Sequence, residues 1–256
     1  MKIIPLSPQH ERLFWQVVHQ DIVHYFFFAL DWTHETHKTQ IKLVLDNNHI
    51  TGMMLIYDQR IIHLRGQPQA VQAFMQSIDL DDVEITLQTL PHHKDMVLKY
   101  ITPTTLNETL VMTLHKDQAI SHEAYPVTAL HESNAPDIAA VMQDAFGKAT
   151  DHRILQNMSS FQWIGIKRPN LVSVGRYRCT DWVGWMSIVA TMQMHRNQGY
   201  ASTIVSHAVT NLLEKHDEVL IHVRADNVPA IHVYQKVGFS HYKTYIFIRG
   251  RKIVDV

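Results

Sequence analysis

Arg196-Asn197-Gln198-Gly199-Tyr200-Ala201-Ser202 sets a glycine immediately before a run in which Ala201, Ile204, Val205, Ala208, Val209, Leu212 and Leu213 recur with helical period. The first amides of such a helix have no partner inside it, and the dipole adds positive character there, so the turn can hold an anion. Glycine at position 199 lets a phosphate approach the backbone without a Cβ in the way, and Arg196 can add a charge-assisted contact. A lone glycine also serves an ordinary strand-to-helix turn, so this stretch needs a second signal.

That signal lies in VRADNVPAIHVYQKVGF, residues 223–239. A strand-like run ends, Asn227 can cap a helix, Pro229 fits its first turn, and Gly238 follows its end. Tyr234 lies seven residues after Asn227, about two helical turns, which puts a phenol and an amide on one helix face. The phosphate loops of other folds are excluded by spacing, because neither GxxxxGK[ST] nor GxGxxG occurs.

Taken together the two stretches resemble the GNAT N-acetyltransferase superfamily. Its acetyl-CoA loop reads [QR]-x-x-G-x-[GA], here Arg196-x-x-Gly199-x-Ala201. Its next helix reads N-x-x-A-x-x-x-Y-x-x-x-G-F, here Asn227-x-x-Ala230-x-x-x-Tyr234-x-x-x-Gly238-Phe239. The resemblance covers about residues 125–250. Two positions depart from the usual pattern: Gln193 stands where proline is common, and Asn197 where glycine often follows the arginine.

The resemblance implies transfer of an acetyl group from acetyl-CoA to a primary amine of a small molecule or peptide by direct attack. It implies that the strand through Val189 and Thr191 splays from its neighbour and binds the pantetheine arm through main-chain groups, one amide polarising the thioester carbonyl. It further implies that the amides of Asn197, Gln198, Gly199, Tyr200, Ala201 and Ser202, with Arg196, hold the pyrophosphate, that Asn227 meets the pantetheine, and that Tyr234 protonates the departing thiolate.

No general base follows from the residues. Asp181 and His152 are candidates, each better read as an exposed polar residue, and a water can relay the proton. Acceptor selection is expected in loops between 146 and 165, where Phe146, His152, Phe161 and Trp163 could wall a pocket, while Trp182 and Trp185 read as core packing. Cys179, the single cysteine, excludes an intrachain disulfide and reads as a buried small hydrophobe. His34-Glu35-Thr36-His37 could bring two imidazoles onto one helical face, but a solvated loop fits better, and no metal site is expected.

These residues must be positioned by an alternation of strands and helices. IKLVLDNNHITGMMLIYDQRIIHLRG reads as three strands of a meander, QPQAVQAFMQSI as a helix, VEITLQ as a strand, the region of HHKDMVLKY as a helix, and TLVMTLHK as a strand. After the polar stretch 117–126 the second half gives VTAL as a strand, a helix opened by Asn134 and Pro136, strands LVSVGRY and WVGWMSIVATM, helix ASTIVSHAVTNLLEK, strand EVLIHV, helix PAIHVYQKV and strand YKTYIFIR. The repeated order predicts an α/β chain of two tandem GNAT-like units, each a mixed, mostly antiparallel twisted sheet flanked by helices. Residues 1–120 would form a degenerate unit and 121–256 the acetyl-CoA-binding one, similar to the glycine N-acyltransferase-like branch. The stretch Arg65-Gly66-Gln67-Pro68 lacks the full loop, so only the second half is expected to bind the cofactor.

Composition bounds the partners. The chain has 256 residues, 46% hydrophobic, and a formal net charge of −1, so nothing in it matches the basic stripe that nucleic acid or an anionic membrane selects. HYFFFAL is too short to span a bilayer, and the N-terminus lacks a long apolar run and a small-residue cleavage site, which makes the cytoplasm the default. A homodimer stays open. The rival reading is a non-catalytic module that binds acyl-CoA and senses or scaffolds; a third keeps the enzyme but uses longer acyl chains.

Overall fold

The computed structural model describes residues 2–78, 83–147 and 151–253. The chain divides into two compact units, Met1–Leu110 with Lys243–Val256, and Val111–Tyr242. The first division falls after Leu110, ahead of the boundary expected at 120 and within a strand, because the backbone stays extended through Leu110 into His115.

The first unit runs β1 (Lys2–Pro5), α1 (Pro8–Val18), α2 (Phe26–His34), β2 (Thr39–Asp46), β3 (His49–Tyr57), β4 (Ile61–Gly66), α3 (Pro68–Ser77), β5 (Ile85–Thr89), α4 (Lys94–Val97) and β6 (Ile101–His115). The second unit, entered at Val111 within β6, runs β7 (Thr128–Leu130), α5 (Ala135–Phe146), α6 (Asp151–Met158), β8 (Gln162–Lys167), β9 (Leu171–Cys179), β10 (Gly184–Thr191), α7 (Tyr200–Leu213), β11 (Glu218–Arg224) and α8 (Val228–Val237), and β12 (Ser240–Lys252) follows, belonging to the first unit from Lys243. The two orders are the same, strand, two helices, three strands, helix, strand, helix, strand. The tandem α/β reading of the sequence is the architecture found.

Within the first unit the strands lie in the order β1-β2-β3-β4-β5-β12-β6, so the last strand of the chain closes this sheet, with Ile246–Gly250 antiparallel to Ile85–Thr89. In the second unit the order is β6-β11-β10-β9-β8-β7, with β6 contributing from Val111 onward. β1·β2, β2·β3, β3·β4, β5·β12, β7·β8, β8·β9 and β9·β10 pair antiparallel, while β4 with β5 and β10 with β11 pair parallel. Those two parallel pairs are where each unit's chain crosses over through a helix, α3 or α7.

Burial follows the apolar periodicities. In the first unit Ala70, Val71, Phe74 and Met75 of α3 bury against Leu64, Ile85, Leu87 and Ile248. In the second, Ala135, Ile138, Ala139 and Val141 of α5 bury against Trp163, Val174 and Ala190, while Ile204, Val205, Ala208 and Leu212 of α7 are fully covered.

Several expectations are corrected. Residues 2–34 carry β1, α1 and α2, where the sequence pattern assigned nothing. Within 146–165, read as loops, the chain forms α6 and most of β8; Trp163 thereby alternates inward as strand residues do and is 3% exposed, so it belongs to the core rather than to a pocket wall. Residues 148–150 of that stretch lie outside the described residues. Trp182, Trp185 and Cys179 are half-buried; Cys179 ends β9, Trp182 lies in the turn that follows, and Trp185 is the second residue of β10. His34 closes α2 and His37 lies in the 3-10 turn Thr36–Lys38, so they do not share a helix face. No helix among the described residues is long and apolar enough to cross a membrane.

Candidate active site

The sequence places a phosphate-sized turn after β10, and the strand geometry there is what opens a site. β10 and β11 pair only from Gly184↔Val219 to Met186↔Ile221. A bulge between Met186 and Ile188 turns β10 away, and it then continues to Thr191 while β11 runs to Arg224 with no pairing between them. The two strands splay, as the resemblance implied.

The splay exposes one edge of β10. Met192 N donates to Val172 O, and Ala190 O accepts from Ser173 Oγ, so the main-chain groups of these even-numbered residues point toward β9. Alternate residues of an antiparallel ladder turn the other way, which leaves Val189 and Thr191 presenting main-chain groups to the open edge. Thr191 O there accepts a long bond from Arg196 Nε at 3.4 Å.

Beyond β10, residues 192–199 form the turn. Gln193 N donates to Asp144 Oδ2 at 2.6 Å and Gln193 Nε2 to Asp144 O at 2.9 Å, two bonds that tie the turn to α5 where proline is usual in the resembling family. Asn197 has φ +62° and Gly199 φ +86°. Asparagine is among the residues that tolerate left-handed backbone, which accounts for its standing where glycine is frequent. For Gly199 the reason is likewise conformational: a Cβ would meet only Tyr125 Cε2 at 3.8 Å, so backbone angle rather than crowding demands glycine here. Gly199 is the N-cap of α7 and has no side chain to satisfy the helix, while Thr203 N already bonds Gly199 O. By helix geometry the amides of Tyr200, Ala201 and Ser202, ahead of that first bond, have no partner inside α7.

The opposite wall is α8. Asn227 Oδ1 accepts from Ala230 N at 3.3 Å, the predicted N-cap. At the other end Gly238, φ +113°, closes the helix with Phe239 N bonded to Tyr234 O; a Cβ there would strike Gln118 O at 2.2 Å. Tyr234 is 6% exposed and packs edge-on against Phe239. Burial raises its phenol well above the usual tyrosine range, so it is protonated at all physiological pH.

These parts enclose a cleft of about 700 Å³ lined by Val189, Thr191, Arg196, Asn197, Gly199, Tyr200, Ala201, Ser202, Asn227 and Tyr234. Of the residues that the resemblance assigned to cofactor binding and catalysis, only Gln198 is not on its wall; its carbonyl accepts from Tyr125 Oη at 2.8 Å. Phe146, 50% exposed, also lines it. His152 and Asp181 are exposed and off the wall, as is half-buried Phe161. Motif reading missed Ala145, His195, Val233 and Lys236, which line the cleft without falling on a motif position; for Val233 and Lys236 the helical neighbours of Tyr234 were the available signal. A second depression of about 470 Å³, lined by residues 123–127 and His207, lacks both a splayed strand edge and a helix N-terminus. Among the described residues no three His, Cys, Asp or Glu side chains gather as a metal site.

Residues 164–248, which include the turn, both walls and Tyr234, match the FR47-like protein family. Comparison with curated proteins finds no match. Among solved structures the chain is similar to a Drosophila protein, with a TM-score of 0.75 and 10% identity over 97% of this chain and 98% of that one. It is similar to a GNAT-family acetyltransferase from Colwellia psychrerythraea, with a TM-score of 0.61 and 13% identity over 98% and 100%. A tandem GNAT protein from the clavulanic acid biosynthesis pathway aligns with a TM-score of 0.58 and 12% identity over 98% of each chain. Two units of one element order, full-length alignment to a tandem GNAT protein and an FR47-like match in the second unit give this chain the fold of the GNAT superfamily in its paired-domain form.

Proposed function

We propose that the second unit is an N-acyltransferase that moves an acetyl group from acetyl-CoA to a primary amine. The observation that carries this reading is the cleft itself: an unpaired strand edge, a left-handed turn ending in free helix amides, and a buried phenol facing the same space. The free amides of Tyr200, Ala201 and Ser202, at the positive end of α7, suit the pyrophosphate. The edge of β10 suits the pantetheine arm, which needs donors and acceptors spaced like a strand's. The amide of Val189 would polarise the thioester carbonyl and hold the oxyanion as it forms.

The amine nitrogen attacks the thioester carbonyl carbon and forms the C–N bond. As the C–S bond breaks, Tyr234 gives its proton to the departing sulfur, and the amine's surplus proton leaves through water. A phenol whose pKa is raised by burial holds that proton until thiolate charge develops beside it, then regains one from solvent when CoA leaves. The two departures from the family motif are compatible with this reading, since Gln193 is braced by Asp144 and Asn197 takes the left-handed backbone unaided.

Tyr234→Phe tests it. Turnover with acetyl-CoA and an amine acceptor should fall about ten- to a hundredfold, the scale of a lost general acid, while acetyl-CoA affinity by calorimetry stays within about twofold. Unchanged turnover removes Tyr234 from the chemistry. Acetyl-CoA binding with no turnover across a broad amine panel would leave the chain as an acyl-CoA-binding module.

A further inference from the structure

The polar stretch 117–126, a spacer by its sequence, is tied down along α7 and α8. Ile120 N donates to Val237 O at 2.9 Å and His122 Nε2 to Lys236 O at 2.9 Å, which satisfies two carbonyls that the last turn of α8 leaves open. His122 N donates to Ser206 Oγ of α7 at 2.9 Å. Three residues on, Tyr125 reaches the turn ahead of α7. Its ring centre lies 4.5 Å from that of Tyr200, its Cε2 stands 3.8 Å from where a Cβ on Gly199 would be, and its Oη donates to Gln198 O at 2.8 Å. The guanidinium carbon of Arg168 lies over the ring, 5.0 Å from its centre.

The bond from Tyr125 fixes a peptide plane. In a trans peptide the carbonyl and the following N–H point in opposite directions, so holding Gln198 O against Tyr125 aims Gly199 N the other way. Gly199 lines the cleft and Gln198 does not, so the other way is the cleft. Gly199 N has no acceptor among the described residues. Asn197 at φ +62° and Gly199 at φ +86° flank Gln198, whose φ is negative, and such alternation of hand turns successive amides into one anion-binding concavity. The weak point is the glycine. Without a Cβ it takes positive and negative φ alike, so the plane between Gln198 and Gly199 can rotate at little conformational cost. A rotated plane would present a carbonyl oxygen to phosphates in place of an amide. Tyr125 is the group bonded to that plane.

Resting on the acyltransferase reading above, we infer that Tyr125 is a positioning residue of the donor site, which holds the Gly199 amide toward the pyrophosphate of acetyl-CoA before the donor arrives. Tyr125 is not itself on the wall of the cleft and acts through the Gln198–Gly199 plane. A turn already in its binding geometry spares the donor the cost of ordering it. The bonds of Ile120 and His122 to α8 and α7 hold the tyrosine level with the turn, so the spacer is part of the phosphate site. The role concerns the pyrophosphate alone: a pantetheine thioester that lacks it should be indifferent to Tyr125.

Tyr125→Phe keeps the ring and removes only the hydroxyl. Acetyl-CoA affinity by calorimetry should fall about five- to tenfold, the scale of one lost hydrogen bond. Affinity for S-acetylpantetheine, which carries the same arm and thioester without the pyrophosphate, should stay within about twofold. A tyrosine that merely supports the fold would weaken both donors alike, so equal losses overturn the assignment, as does unchanged acetyl-CoA affinity. A second readout needs no change at Tyr125. With isotopic labelling of glycine nitrogen, the nine glycines give a sparse amide spectrum. The Gly199 signal, identified by its loss in Gly199→Ala, should move when acetyl-CoA is added to the wild type. A Gly199 signal that stays in place while acetyl-CoA binds also overturns the assignment and leaves the transferase reading standing. Wild type that binds no acetyl-CoA removes both.

Discussion

The same crossover is built twice in this chain, and its two copies end differently. In the second unit the parallel ladder of β10 and β11 stops at Met186↔Ile221 and the strands part around a cleft. In the first, the ladder of β4 and β5 stops at His63↔Gln88, the corresponding place, and a guanidinium fills the gap beyond it. Arg65, 2% exposed, donates from Nη2 to Gln88 Oε1, which also meets His63 Nδ1 at 2.7 Å. Its Nε reaches His24 O at 3.2 Å, and its charge lies 4.3 Å from the ring centre of Tyr245. The connections differ as well. β4 ends at Gly66 and α3 begins at Pro68, leaving Gln67 alone between them, whereas residues 192–199 separate β10 from α7. A fold that makes a splay does not by itself make a site: the second copy has room for a turn with left-handed residues, and the first has spent both the turn and the gap on packing.

Substitution at the two turns gives the largest contrast. Gly199→Asp introduces a side chain at φ +86° and a negative charge where phosphates would lie, so acetyl-CoA affinity should fall at least about a hundredfold. Gln67→Asp, at the exposed counterpart before α3, should leave it within about twofold. Calorimetry with acetyl-CoA measures both. Equal losses would mean that the first unit also contributes to binding, and the contrast between the units would fail.

Arg65→Ala addresses the plug. It removes a buried cation together with its bonds to two main-chain carbonyls and to Gln88, and leaves those acceptors and a void behind. A loss of about 3 kcal/mol in urea unfolding is expected for breaking such a network. Acetyl-CoA affinity should not change, because the residue serves the first unit's interior. A variant that gains a second acetyl-CoA site would instead make the first unit a blocked binding site rather than a packed one.

Local signals made the second unit's candidate cleft readable. Left-handed turn and helix cap each demand particular residue types, which Gly199 and Asn227 meet, while Arg196 and Tyr234 were marked by the family resemblance. The bulge between Met186 and Ile188 has no such signature, so it could not be read from spacing. The same holds for Trp163. Reading 146–165 as loop hid β8, and with it the alternation that buries the indole. In the first unit the plug joins β4, β5, β12 and the residue His24 ahead of α2; sequence showed what was missing at Arg65-Gly66-Gln67-Pro68 but not what replaced it. Closing the first sheet with the chain's last strand is likewise a long-range pairing that no local pattern encodes.

The plug also carries a titratable group, His24. His24 Nδ1 meets Tyr245 Oη at 2.6 Å, and burial, then the neighbouring charges of Arg65 and Lys243, lower its pKa to about 3 against the opposing pull of Asp21. The folded chain thus holds His24 neutral where the unfolded chain, with a value near 6.5, takes up a proton. Below pH 6.5 the unfolded state binds more protons, so stability is full above that value and declines as pH falls toward 3. At pH 5 the contribution is about 2 kcal/mol, from about 1.5 pH units at roughly 1.36 kcal/mol each. His24→Gln, which keeps a polar group near Tyr245 but cannot titrate, should flatten the dependence of urea stability on pH between about 7 and 5 by that amount. If the wild-type slope persists in the variant, the acid sensitivity arises elsewhere, with His93, whose pKa burial lowers to about 4, next to examine. Because Arg65 helps to lower the His24 pKa, Arg65→Ala should raise that pKa, so the decline in stability levels off at a higher pH than in the wild type, which ties the pH dependence to the plug.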